Sequence, residues 1–236
     1  MNLNNLSPVW LIILRQFLII ILICLFILDP SYRAQHNSAF TIGRLKYKGG
    51  GDWYANPSSI PNLLDFINKT TNINTAGGDV VVSLDDNSIF TQPITYITGH
   101  GRISFDRNDR KKLKDYLFGG GFLFIDDNYG LDKYIRKEFK KVFPKKKLHK
   151  LPNSHKIFKK PFNFPDGLPK IHEHHGGPPG AYAIYHNGRM IVFYSYNTDL
   201  GDGWEDFEVH KDPQEKREAA LKMGVNIILF ALSQSS

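Results

Sequence analysis

The sequence contains almost no cysteine. Cys24 is the only one in 236 residues, and it lies inside an apolar run. The rest of the chain therefore has no thiol. That excludes disulfides, cysteine zinc sites and a cysteine nucleophile. Other familiar signatures are missing as well. No His-Glu-x-x-His pair is present, so a zinc-protease helix is ruled out. "GGGDW" lacks the lysine and serine of a phosphate loop, and a turn or close backbone approach accounts for its glycines. "DLGDGWED" is acidic but does not meet EF-hand spacing. Neither aromatic interleaving nor a nucleic-acid motif accompanies the positive charge, so no nucleic-acid partner is expected. There is no internal repeat.

The longest hydrophobic run is "VWLIILRQFLIIILICLFIL", from Val9 to Leu28, with Arg15 as its one charge. Its uninterrupted part, Phe17 to Leu28, has the size of a signal-peptide core. The whole run approaches the ~20 residues that span a bilayer. "SYRAQ" offers Ala34 as a cleavage position, with bulky Tyr32 at −3 opposing it. Residues 1–34 therefore read as either a cleaved signal peptide or a retained N-terminal membrane anchor. In both cases residues 35–236 form one exported domain, periplasmic or anchored facing the periplasm. The chain carries a formal net charge of +7, concentrated in "RKEFKKVFPKKKLHK" from Arg136 to Lys150. This stretch is either a solvated helix end or a contact for anionic lipid headgroups or an acidic polymer.

From Ala39 onward strands and helices alternate. "FTIGRLKY", "DVVVSL", "ITYITGHG" and "GFLFIDDNYG" read as strands, the last apolar throughout like a central parallel strand. "SSIPNLLDFINKTT", "DRNDRKKLKDYLFGGG" and "LDKYIRKEFKKVFP" read as helices, stopped in turn by polar, glycine and proline signals. A long loop-rich stretch follows. "GAYAIYHNGRMIVFYSYN" holds two alternating runs joined by Asn187-Gly188, a strong hairpin signal. "PQEKREAALKMGVNIILFAL" is a final helix. The alternation predicts a mainly parallel sheet with both faces covered.

In such sheets ligands bind outside the carboxyl ends of the strands. That rule gathers the polar residues. Asp52 and Trp53 follow the first strand, and His100 follows "TYIT". Asp126, Asp127, Asn128 and Tyr129 follow "GFLFI", while Asp199, Asp202, Trp204, Glu205 and Asp206 follow "MIVFYSY". Adjacent Asp126 and Asp127 point to opposite sides of a strand. A carboxylate held in a cleft serves as base, metal ligand or sugar-hydroxyl acceptor. Asp126, Asp127 and His100 are thus the catalytic candidates. Trp53 and Trp204 are candidates for an apolar sugar platform. "PKIHEHHGG" adds His172, Glu173, His174 and His175. In an extended segment His172 and His174 share one face, with Glu173 on the other. They are candidate ligands for a divalent metal. The alternative is a set of histidines hydrogen-bonding a rigid Pro/Gly loop.

Several of these phrases occur in order: "RLKYKGGGDWY", "YITGHG", "GGGFLFIDDNYG", "KKVFP", "LPKIHEHHG", "DLGDGWED" and "ALKMGVNI". Together they resemble the bacterial domain of unknown function 4159 family, from Phe40 to Leu232. The resemblance implies a flavodoxin-like three-layer α/β sandwich similar to class I glutamine amidotransferases and ThuA-like proteins. Amidotransferases place a cysteine after the strand that matches "GGGFLFIDDN"; here Asp126 or Asp127 stands near that place. Their late-strand histidine has no counterpart in "RMIVFYSYNTD". ThuA-like proteins usually have a histidine where Asp126 sits. A glutamine-hydrolysing thiol mechanism is therefore excluded.

The leading expectation is an exported cell-envelope ligand-binding or assembly module, with the membrane surface and envelope proteins as partners. Its cleft is lined by Asp52, Trp53, His100, Asp126, Asp127, Asn128, Tyr129, Asp202, Trp204 and Glu205. The alternative is a metal-dependent hydrolase acting on a carbohydrate or other envelope substrate. It requires the histidine loop to fold over the end of the Asp126 strand.

Overall fold

The computed structural model describes residues 15–17, 39–173 and 175–234. The chain divides into two units, Met1–Ala39 and Phe40–Ser236. In the first, only Arg15, Gln16, Phe17 and Ala39 are described, and the first three are helical. The rest of the apolar run, Cys24 and Ala34 lie outside the described residues. None of the described helices is long and apolar enough to cross a membrane.

The second unit is built on a seven-stranded sheet. Its strands are β1 (Gly43–Lys46), β2 (Val80–Ser83), β3 (Ile94–Ile97), β4 (Phe122–Asp126), β5 (His149–Lys150), β6 (Gly180–His186) and β7 (Arg189–Tyr196). The order is β2-β1-β3-β4-β7-β6-β5. The first five are parallel, while β6 and β5 add antiparallel at one edge. Short β5 falls in the stretch whose sequence reads as loop. The helices are α1 (Ser59–Thr70), α2 (Arg107–Phe118), α3 (Asp132–Val142), α4 (Leu200–Trp204), α5 (Phe207–His210) and α6 (Gln214–Leu232). Within the acidic "DLGDGWED" stretch, Leu200–Trp204 form the short helix α4.

Two apolar cores flank the sheet. Leu63, Leu64 and Ile67 of α1 and Met223, Ile227 and Ile228 of α6 pack with Phe122 and Phe124 of β4. On the other face, Leu113 and Leu117 of α2 and Ile135 and Phe139 of α3 pack with Leu123 and Ile125. Alternation along β4 assigns these side chains to opposite faces. Continued one step further, it sends Asp126 toward the α1/α6 side and Asp127 toward the α2/α3 side. All the described members of both cores belong to the second unit.

The loops after β1 and β3 close on each other backbone to backbone. Gly51 N donates to Arg102 O at 2.9 Å, and Ser104 N donates to Lys48 O at 2.7 Å. Gly99 has φ +122°, and a Cβ there would lie 2.4 Å from Tyr47 Oη. Only glycine meets both demands. At α4, the fully buried Trp204 ring donates through Nε1 to Ala220 O at 2.8 Å. This ties the short helix to α6.

A Cβ at Gly203 would meet Ala220 Cβ at 2.5 Å. Helix propensity alone makes Gly203→Ala favourable by up to about 1 kcal/mol. Overpacking against another buried backbone-proximal carbon reverses that sign, at about 1–3 kcal/mol. Urea unfolding of the variant is expected to show a lower midpoint. A raised midpoint contradicts the close α4–α6 packing.

Candidate metal centre at the carboxyl edge of the sheet

The strand ends deliver their polar groups to one edge, as the parallel topology requires. Asp202, in α4, is their meeting point. Its Oδ1 accepts from Asn56 Nδ2 at 2.6 Å and from Asn128 Nδ2 at 3.3 Å. Asn56 belongs to the loop after β1, and Asn128 follows β4. Thr98, just after β3, donates to Asn128 Oδ1 at 3.2 Å. The ends of three strands thus orient one carboxylate.

The other oxygen of Asp202 faces two histidines. His172 Nδ1 lies 2.9 Å from Oδ2, and His210 Nε2 lies 3.8 Å from it. The second ring nitrogen of His172 is 2.9 Å from Asp212 Oδ2. The two rings are edge-to-face, with centroids 4.9 Å apart. One donor atom each from His172, Asp202 and His210 fall within 4.8 Å of one another. Two imidazoles and a carboxylate around one point form a donor set suited to zinc, iron or manganese. The support behind these donors also fits a metal. A carboxylate on the far nitrogen of a ligating histidine fixes its tautomer and orientation, and Asp212 stands there.

Backbone geometry around the site is unusual. Asn56, Asn197 and Asp199 all have left-handed φ, at 58°, 57° and 54°. Asn and Asp tolerate this region better than other non-glycine residues. Asp199 starts α4 and so aims Asp202 three residues later.

The neighbouring carboxyls are held unlike surface acids. Asp126 is fully buried. It accepts from Ser195 Oγ at 2.5 Å and from Gly201 N at 2.6 Å. Burial nevertheless raises its pKa to about 6. Asp127, on the opposite side, is raised to about 7 by burial and then by Asp132 and Asp126. Its Oδ1 has no hydrogen-bond partner among the described residues. Asp199 is raised to about 9 by burial and by Asp126, Asp202 and Asp127. For Asp202, burial pushes upward, but His172, His210 and Asn56 outweigh it and hold the group below the usual carboxylate range. These four acids span the range from firmly ionised to protonated at neutral pH.

The remaining candidates take varied places. His100 and Asp52 form a dyad at the β3 and β1 ends. The His100 backbone N–H donates to Asp52 Oδ1, and its Nδ1 lies 2.9 Å from Oδ2. Tyr129 is exposed and stacks on His175 at 5.2 Å. Trp53 is half-buried, with the Lys46 ammonium 5.9 Å from its ring centre. Trp204 is 0% exposed and offers no face to a ligand, so it is a core residue and not a sugar platform. Glu205 is buried and accepts from Ser58 N at 2.9 Å, at the start of α1. It fastens α1 instead of lining a cleft. Glu173 turns outward to Lys170 at 2.9 Å, with its side chain 72% exposed, and is apart from the donor cluster. His174 lies outside the described residues. Asn56, His210 and Asp212 are site residues that the sequence reading does not single out. The "HKD" spacing after the acidic stretch is the signal that carries two of them.

A model of the family described as Domain of unknown function (DUF4159) matches residues 41–232. The chain belongs to that family. A search of curated proteins finds no match. The DUF4159 region takes in every residue of the candidate site, from Asp52 to Asp212.

The buried acids set a pH dependence. Unfolded aspartates titrate near 3.9, well below the folded values of about 6, 7 and 9. Between those limits the folded state binds more protons than the unfolded one. Stability therefore falls as pH rises from about 4 toward 9. Thermal unfolding in EDTA is expected to show a lower midpoint at pH 8.5 than at pH 5. Asp126→Asn should flatten the portion between about 4 and 6. A midpoint that rises over this range contradicts the burial of protonated carboxyls.

Proposed function

We propose that this chain is a metal-dependent hydrolase of the bacterial cell envelope, acting on a carbohydrate or other polar envelope substrate. The observation that carries this reading is His172 held between Asp202 and Asp212, with His210 facing the same Asp202 oxygen. His172 of the histidine loop reaches Asp202, whose other oxygen accepts from Asn128 just after β4, and this supports the hydrolase reading. A divalent ion held by His172, Asp202 and His210 would supply a polarised substrate oxygen and an activated water. Asn56 and Asn128 orient Asp202, and Asp212 orients His172. Asp126 accepts from Gly201 N of α4 and has a pKa of about 6, near the range that proton transfer at pH 7 favours.

The same proposal includes kinship with the class I glutamine amidotransferase-like and ThuA-like superfamily. The parallel strands run in the order second, first, third, fourth, fifth, as in flavodoxin-like sheets. The motif resemblance supports it too. Export, to the periplasm or to an anchored position facing it, rests on the Val9–Leu28 run.

One observation favours a second reading. Asp202 and His172 already satisfy each other, with Asn56, Asn128 and Asp212 completing the network. Such a network can stand as loop structure in a ligand-binding or assembly module that meets other envelope proteins.

Elemental analysis of untagged protein separates the two. The hydrolase reading expects about one equivalent of zinc, manganese or iron, lost in His172→Ala/His210→Ala. Asp212→Asn, which removes only the support behind His172, should weaken metal binding about 10–100-fold. Metal-dependent turnover of chromogenic glycosides or esters should disappear with the metal. Protein that stays metal-free after incubation and desalting leaves the binding module.

A further inference from the structure

The candidate site occupies the carboxyl edge of the parallel strands. The opposite edge has a different chemistry. There α2 and α3 end, β4 and β7 begin, and the Asn187-Gly188 turn sits beside them. Arg189 Nη1 donates to Gly120 O at 3.1 Å and to Gly121 O at 3.0 Å, which holds the turn against the start of β4. Phe118, at the end of α2, stacks on His186 at 3.7 Å and on Phe143 at 6.2 Å. The ammonium groups of Lys114 and Lys146 lie 5.7 and 5.6 Å from the Phe118 ring centre. Two hollows of about 400 and 470 Å³ adjoin here and share Lys146. Lys114 and Lys145 line the first, and Lys140 and Lys147 line the second.

The charge is nearly all of one sign. Acids of α2 and α3 are already engaged: Asp115 with Lys111 at 2.7 Å, Glu138 with Lys141 at 2.6 Å, and, at the far end of α3, Asp132 with Arg136 at 2.5 Å. Among the described residues, Lys114, Lys140, Lys145 and Lys147 pair with no carboxylate. All four are exposed. Unpaired lysines around an aromatic floor suit an interface where phosphate headgroups meet apolar chains.

Topology adds a second, independent argument. The unit begins at the same edge, because Phe40 precedes β1 and pairs with Thr75. Only eleven residues separate Leu28, the end of the apolar run, from Phe40.

We infer that the amino edge of the sheet, centred on Phe118, His186 and the lysines around them, docks on an anionic phospholipid surface. The candidate metal centre then faces away from the bilayer. This inference rests on the exported reading of the leader for its orientation, and not on the hydrolase reading.

The test is flotation of the Phe40–Ser236 unit, prepared from Ala39, with phosphatidylcholine vesicles with or without phosphatidylglycerol. Binding is expected only with phosphatidylglycerol, and should weaken as salt shortens the screening length. Lys114, Lys140, Lys145 and Lys147 changed together to Gln should bind at least about tenfold more weakly. Circular dichroism should show an unchanged fold, since none of the four holds an ion pair. A control changes Lys46, Lys133 and Lys211, exposed lysines near the carboxyl edge, to Gln. It should bind close to the unchanged protein. Equal loss in both variants, equal binding to both vesicle types, or binding to soluble polyphosphate without vesicle flotation each overturns the proposal.

Discussion

Asp202 is a buried carboxylate with four groups facing it, and the carboxyl edge of the sheet is organised around that fact. A charge taken out of water costs several kcal/mol unless hydrogen bonds and counter-charge replace the lost hydration. Here Asn56 and Asn128 serve one oxygen, and His172 and His210 face the other. Each comes from a different segment. The loops after β1 and β4, the histidine loop and α5 are therefore held in register by one acid. Loss of any one partner leaves a buried oxygen undersupplied, so the network specifies loop positions as much as it stabilises them.

The other acids show what happens without such provision. Asp126 has two donors, yet burial still raises its pKa to about 6. Asp127 has one oxygen with no partner among the described residues and rises to about 7. A domain optimised for stability alone would not bury three reluctant carboxyls at one edge of its sheet. Acids with perturbed pKa values cluster at functional sites. The left-handed backbones at Asn56, Asn197 and Asp199 fall in the same place, which is where strain is usually found when it serves a function.

Much of this was legible in residues close in sequence. Strand and helix periods located the parallel strands, and the pleat of "FLFIDD" separated Asp126 from Asp127. The rule of carboxyl ends brought Asp52, His100, Asn128 and Asp202 to one edge, and His172 was already a metal candidate. What failed depended on contacts between distant segments. Nothing local shows that Asn56 meets Asp202, 146 positions away. His210 and Asp212 are invisible until α4 and α5 turn the chain back toward His172. Trp204 invited a surface role because it sits among acids, but a five-residue helix rolls it into the core against Ala220. Glu205 likewise became a fastening for α1. Periodicity predicts faces within an element; it does not predict which short helix forms between two elements.

The two edges of the sheet give the molecule a direction, with acids and imidazoles at one end and unpaired lysines over aromatics at the other. We propose that the acidic end holds an ion through His172, Asp202 and His210. X-ray absorption on the metal-loaded protein tests it most directly. The expected inner shell includes two imidazole nitrogens with carboxylate and water oxygens, at about 2.0–2.2 Å for zinc. A shell of oxygens alone, or a spectrum unchanged in His172→Ala/His210→Ala, would contradict it.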